Sequence, residues 1–99
     1  MKKLIALLIA LLPTAAFAED HVIVQKGRRF NPPEVTINRG DTITFTNSDE
    51  FIHQMYSQEV FDSDEKSPGE TLKQPFTRTG TFEVRCHIHP KMKLLVHVN

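Results

Sequence analysis

The chain is poor in the features that usually hold a small exported protein together or anchor it. Its 99 residues contain one cysteine, Cys86, so an internal disulfide framework is excluded. No apolar run approaches the roughly 20 residues needed to span a bilayer; the longest, Leu4 to Leu12, is followed at once by Pro13. Basic and acidic residues balance at 12 each, and no clustered basic face of the kind nucleic acid demands is present. Internal repeats, low-complexity tracts and a convincing amphipathic helix are also missing.

What is present begins with Lys2 and Lys3 ahead of that apolar run, followed by Ala16-Phe17-Ala18, a small-x-small cleavage signal. Together they predict a secretory signal peptide over residues 1–18 and export to the periplasm. The leader has no cysteine on which a lipid anchor could be built. Removing 18 of the 99 residues leaves 81, from Glu19 to Asn99, enough for one domain with one modest core. Losing Lys2 and Lys3 leaves 10 basic residues against 12 acidic, a charge near −2. One such domain has no obvious surface for obligate assembly, and a monomer is expected.

Short runs rich in Val, Ile, Thr and Phe, separated by turn residues, read as all-β. Strands are expected at Val22–Lys26, Glu34–Asn38, Asp41–Asn47, Gln54–Gln58, Glu70–Phe76, Thr81–Cys86 and Lys93–Val98. Asn38-Arg39-Gly40-Asp41 supplies a turn that would join the second and third as a hairpin. The acidic stretch with Glu59, Asp62, Asp64 and Glu65 reads as a surface loop. About seven short strands with turns between them suggest a β-sandwich.

An unprotected thiol in an oxidising compartment needs a reason. By itself Cys86 has four readings: an inert core residue, an intermolecular link, a nucleophile or a metal ligand. Its surroundings decide. Phe82, Val84 and Cys86 share the inward face of their strand. The following run, Cys86-His87-Ile88-His89-Pro90-Lys91-Met92, gathers a thiol, two imidazoles and a thioether at one end of the domain. One thiolate and two imidazoles in a plane, with a weak axial thioether, form the donor set of a mononuclear electron-transfer copper site. Thiolate and thioether suit Cu(I), and imidazole also holds Cu(II). The loop offers Cys86, Met92 and one of its histidines; His53, in the connection after the third strand, is the candidate for the second imidazole.

The pattern Cys86-x-x-His89-Pro90-x-Met92, with His53 after Gly40-Asp41-Thr42-Ile43-Thr44-Phe45-Thr46-Asn47, resembles the cupredoxins. Amicyanin, pseudoazurin and plastocyanin relatives are the most similar, and the short Cys-to-Met spacing is most like amicyanin. The resemblance implies a Greek-key β-sandwich and one copper ion in a type 1 site held by His53, Cys86, His89 and Met92. It also implies an electron port at the edge of His89. Gln54 departs from the family pattern, which has Asn there; in relatives that residue's amide bonds the cysteine sulfur and its side chain ties the ligand loops together.

Several residues stand outside this set. His87 adjoins Cys86 along an extended chain and is expected to project away from the metal. His97 should face outward from the last strand. Cleavage after Ala18 would place His21 third in Glu19-Asp20-His21, where an amine, two backbone amides and an imidazole can enclose Cu(II) or Ni(II), a second, weaker metal-site candidate. Lys91, Lys93 and the acidic loop suggest charge steering of redox partners, whose identity the sequence does not give. The leading reading is a carrier of single electrons, with copper handling or resistance as the alternative. Zinc is disfavoured by the thioether, and a second cysteine for haem attachment is missing. No orienting carboxylate or oxyanion-hole motif is evident, and no enzyme is expected.

Overall fold

The structure is a computed structural model that describes residues 17–99. The charged and apolar parts of the expected signal peptide lie outside the described residues. Among the described residues there is no helix, and none is long and apolar enough to cross a membrane.

The described residues form nine strands: β1 (Asp20–Gln25), β2 (Phe30–Asn31), β3 (Glu34–Ile37), β4 (Thr42–Asn47), β5 (Met55–Ser57), β6 (Phe61–Asp62), β7 (Thr71–Pro75), β8 (Gly80–Cys86) and β9 (Lys93–Val98). They form a sandwich of two sheets, ordered β2-β1-β4-β7 and β3-β9-β8-β5-β6. Two of the pairings are parallel, β1 with β4 and β3 with β9.

The core follows from alternation. Ile43 and Phe45 of β4, Val84 and Cys86 of β8, and Leu94, Val96 and Val98 of β9 turn inward and are buried. Phe45 lies between the rings of Phe30 and Phe61, at 6.0 and 6.2 Å, and Phe76 closes on Phe61 at 6.3 Å. Each such buried side chain contributes about 1.5–3 kcal/mol over its exposed form.

The strand count exceeds the expected seven because β2 and β6 are two residues each, too short to show a period. The acidic stretch is therefore not wholly a loop: Phe61 pairs with Ser57. The hairpin expected between β3 and β4 does not form. Asp41 N–H bonds Asn38 C=O as a turn should, but Arg39 N–H then bonds Asn99 and Gly40 N–H bonds Phe76. The turn thus carries the chain from one sheet to the other. Alternation in β3 set which face is buried and left its partner undetermined.

This topology puts the 48–54 connection, which follows β4, and the 87–92 connection between β8 and β9 at one end. Met55 pairs with Cys86 across β5 and β8, so His53 is held two residues from the cysteine's partner.

Candidate metal centre

His53 is fixed by its neighbours before any metal is considered. It exchanges two backbone bonds with Lys66, N–H to Lys66 C=O at 3.0 Å and C=O from Lys66 N–H at 2.7 Å. Asn47, at the end of β4, donates from Nδ2 to Phe51 C=O and Lys66 C=O, and its Oδ1 accepts the Asp49 N–H. The loop is therefore pinned from inside. His53 and Cys86 are 0% and 1% exposed, and Met92 is 2% exposed; His89 is half-buried.

Both histidines turn Nδ1 toward the thiol, each 3.7 Å from Cys86 Sγ, with their rings 5.0 Å apart at 62°. The three donor atoms lie within 4.8 Å of one another. An ion at the ~2.0–2.3 Å typical of metal–nitrogen and metal–sulfur bonds fits between the sulfur and either imidazole nitrogen at the 3.7 Å separation seen. Among the described residues no other group of three His, Cys, Asp or Glu side chains converges like this. Met92 closes the cluster from the same loop, its N–H bonded to His89 C=O at 2.9 Å. Soft sulfur with two imidazoles fits copper, and a closed thioether-containing set fits zinc poorly.

Around the donors, Gln54 N–H points at Cys86 Sγ at 3.4 Å, and Asp49 Oδ2 meets His53 Nε2 at 2.8 Å. Burial pushes the Asp49 carboxyl up, but bonds from His53, Arg28 and Gly27 outweigh it, and its pKa lies below the usual carboxylate value. Burial, with the charges of His53 and Arg28 beside it, holds His89 below an ordinary histidine. Asn47, Asp49 and Lys66 were not anticipated from sequence. An Asp four residues before a ligand histidine was the available signal for Asp49.

His87 is exposed and faces away, stacked on Tyr56 at 3.9 Å and 13°, with Nε2 3.0 Å from Asp62 Oδ1. His97 bonds Glu34 and Thr81 on the sheet surface. Glu19, Asp20 and His21 are not brought together around a common point. Glu19 N–H and His21 Nε2 both bond the Asp41 carboxylate, Asp20 accepts from Thr44, and Asp20 and His21 are in register with Thr42 and Ile43 of β4. Enclosing a metal in a square plane would require this segment to leave the sheet.

At the surface, Phe51, Ile52 and Ile88 are exposed near His89, and Phe51 meets its ring edge-on at 6.1 Å. Arg28 lies over Phe51 at 4.3 Å. Lys26, Arg28, Arg29, Lys91 and Lys93 line the adjoining groove, and none has an ion-pair partner among the described residues.

Comparison with known proteins agrees with this geometry. The family model described as copper binding proteins, plastocyanin/azurin family, matches residues 18–99. No curated protein sequence matches significantly. The fold is similar to that of a purple cupredoxin from Nitrosopumilus maritimus, with a TM-score of 0.76 and 24% identity, covering 81% of this chain and 100% of that one. An oxidised amicyanin variant gives 0.76 and 23%, covering 81% and 82%. A copper-containing nitrite reductase from Thermus scotoductus SA-01 gives 0.74 and 26%, covering 91% of this chain and 26% of that one. This last likeness corrects the expectation of no enzyme: the same fold forms part of an enzyme chain, so the fold does not separate carriers from catalysts. With the match running through nearly all of the described residues and the donors converging as its name requires, the chain belongs to the plastocyanin/azurin family of copper-binding proteins.

Proposed function

We propose that this protein is an exported, periplasmic carrier of single electrons, with one copper ion held by His53, Cys86, His89 and Met92. Bound copper supplies a one-electron Cu(I)/Cu(II) couple. The carrying observation is an asymmetry between the two imidazoles: His53 is sealed inside the sandwich, while His89 reaches the surface among exposed apolar side chains.

The protein's own residues divide the work. Asn47 and the Lys66 bridge hold the His53 loop, and pairing of β5 with β8 holds Cys86, so the donors stay in place whichever charge they surround. Phe51, Ile52 and Ile88 form a contact face that sheds water easily and lets a partner's redox centre approach His89 closely. The unpaired cations beside that face favour a partner with an acidic rim. The acidic side is partly engaged internally, Asp62 with His87 and Asp64 with Lys66.

Copper handling in the periplasm uses the same four ligands. Two further histidines could serve that role, but His21 and His87 are each bonded to an aspartate, which weighs toward the electron carrier. The test is the visible spectrum of processed, Cu(II)-loaded protein beside Cys86→Ser. An intense thiolate-to-copper band that vanishes in the variant is expected; a weak band in both would defeat the carrier reading.

A further inference from the structure

His53 presents one ring nitrogen to the donor cluster, and what happens at the other nitrogen decides what kind of donor it is. A neutral imidazole carries one N–H, and the bond made by one nitrogen fixes the tautomer at the other. Here Nε2 meets a carboxylate oxygen, Asp49 Oδ2, at 2.8 Å, in a pair where the histidine is 0% and the aspartate 8% exposed. We infer that Asp49 is a positioning residue for the copper ligand His53, taking its Nε2–H so that Nδ1 is the unprotonated donor and placing a buried negative charge behind the ring.

The carboxylate is itself held on all sides. Oδ1 accepts the N–H of Gly27, Oδ2 also accepts the N–H of Arg28 at 3.0 Å, and Asp49 N–H is held by Asn47 Oδ1 at 2.9 Å. Gly27 and Arg28 are consecutive residues in the left-handed region, with φ of 64° and 55°. That conformation is costly for arginine. It aims two successive N–H groups at one anion, an arrangement that favours a negative group over a neutral one. The tip of the β1–β2 hairpin is thus shaped around Asp49, and the carboxylate cannot swing away from His53 without orphaning two amides. The Arg28 guanidinium lies instead over Phe51, and among the described residues no Lys or Arg side chain forms an ion pair with Asp49.

An imidazole donating to a carboxylate is a more electron-rich ligand than one donating to a neutral acceptor. Asp49 therefore stabilises Cu(II) relative to Cu(I) and lowers the reduction potential. This inference rests on the ligand assignment made above and adds to it the residue that tunes one ligand.

The experiment compares copper-loaded wild type with Asp49→Asn, which keeps an oxygen acceptor and removes the charge. The variant is expected to keep the thiolate-to-copper band and to favour Cu(I) by about tenfold more than wild type, a rise of about 59 mV for a one-electron couple. An unchanged or lower potential with the band intact overturns the inference. A second measurement needs no variant: in the Cu(I) protein the His53 Nε2 proton should be seen by NMR in slow exchange with solvent. A rapidly exchanging proton there overturns it even if Asp49→Asn fails to fold. Absence of the intense band in wild type would instead overturn the ligand assignment, and the inference with it, and so is distinct from either result.

Discussion

Gln54 divides its two halves between the metal centre and the sheet beside it: its backbone N–H points at Cys86 Sγ at 3.4 Å, while its side-chain Nε2 donates to Ser63 C=O at 3.2 Å. Its own C=O accepts the His87 N–H at 2.8 Å. The bond to sulfur and the tie to the ligand loop both survive the departure from Asn, carried by backbone; only the side chain has been redirected.

Gln54→Ala should therefore remove one hydrogen bond and leave the sulfur's environment alone. A loss of about 0.5–1.5 kcal/mol in denaturant unfolding is expected, with the thiolate-to-copper band at its wild-type wavelength. A displaced band would mean that the side chain acts on the metal.

Gln25 is fully buried at the inner face of β1, and neither its Oε1 nor its Nε2 has a hydrogen-bond partner among the described residues. Leaving buried polar groups unpaired costs about 1–3 kcal/mol. Gln25→Met, close in shape and apolar, should raise the melting temperature by several degrees in a domain of this size. A fall in melting temperature would show that the amide is satisfied in solution, for instance by a buried water.

Asp41 lies at the other end of β4 and accepts from Glu19 N–H, His21 and Asn38 N–H, the first of these the largest influence. Together they lower its pKa from an ordinary 3.8 to about 2. A carboxyl lowered on folding stabilises the fold at pH above its unfolded value, and that contribution is lost as pH falls through the folded one. Asp41→Asn should melt several degrees below wild type at neutral pH, with the gap narrowing between about pH 4 and pH 2. A gap that persists at the acid end would assign the effect to packing.

Lys26 and Arg29 stand in the unpaired basic groove away from the donors. Lys26→Glu combined with Arg29→Glu should slow oxidation by a small anionic reagent such as ferricyanide several-fold at low ionic strength, and the difference should shrink as salt is added. Rates independent of salt and of these charges would remove steering from the account.

Much of this was written in local pattern. β9 falls at Lys93–Val98 as alternation indicated, β4 and β8 shift by one residue at their starts, and inward placement of Cys86 followed from Phe82 and Val84. His53, Cys86 and His89 converge as the resemblance implied. Strand partnership was not readable, because alternation specifies a face and says nothing of the neighbour; hence the missing β3–β4 hairpin. Asp49 was hidden for a similar reason. Its role comes from the Gly27–Arg28 turn, 22 and 21 residues away in sequence.

The place of β9 has a consequence for how the molecule comes into being. The last six-residue strand is interior, parallel to β3 on one side and antiparallel to β8 on the other, with Ile37 opposite Val98. Its pairing with β8 is local, across the 87–92 connection, whereas its pairing with β3 closes a long stretch of chain at an entropic cost. Until β9 docks, the 87–92 connection is tethered only at its Cys86 end. The thiol, the first donor of the loop, then stands uncovered beside an open sheet edge. The metal pocket is accordingly built from two separately held halves: His53 and Cys86 are fixed without β9, whereas the far end of the loop that carries His89 and Met92 is anchored only where β9 pairs.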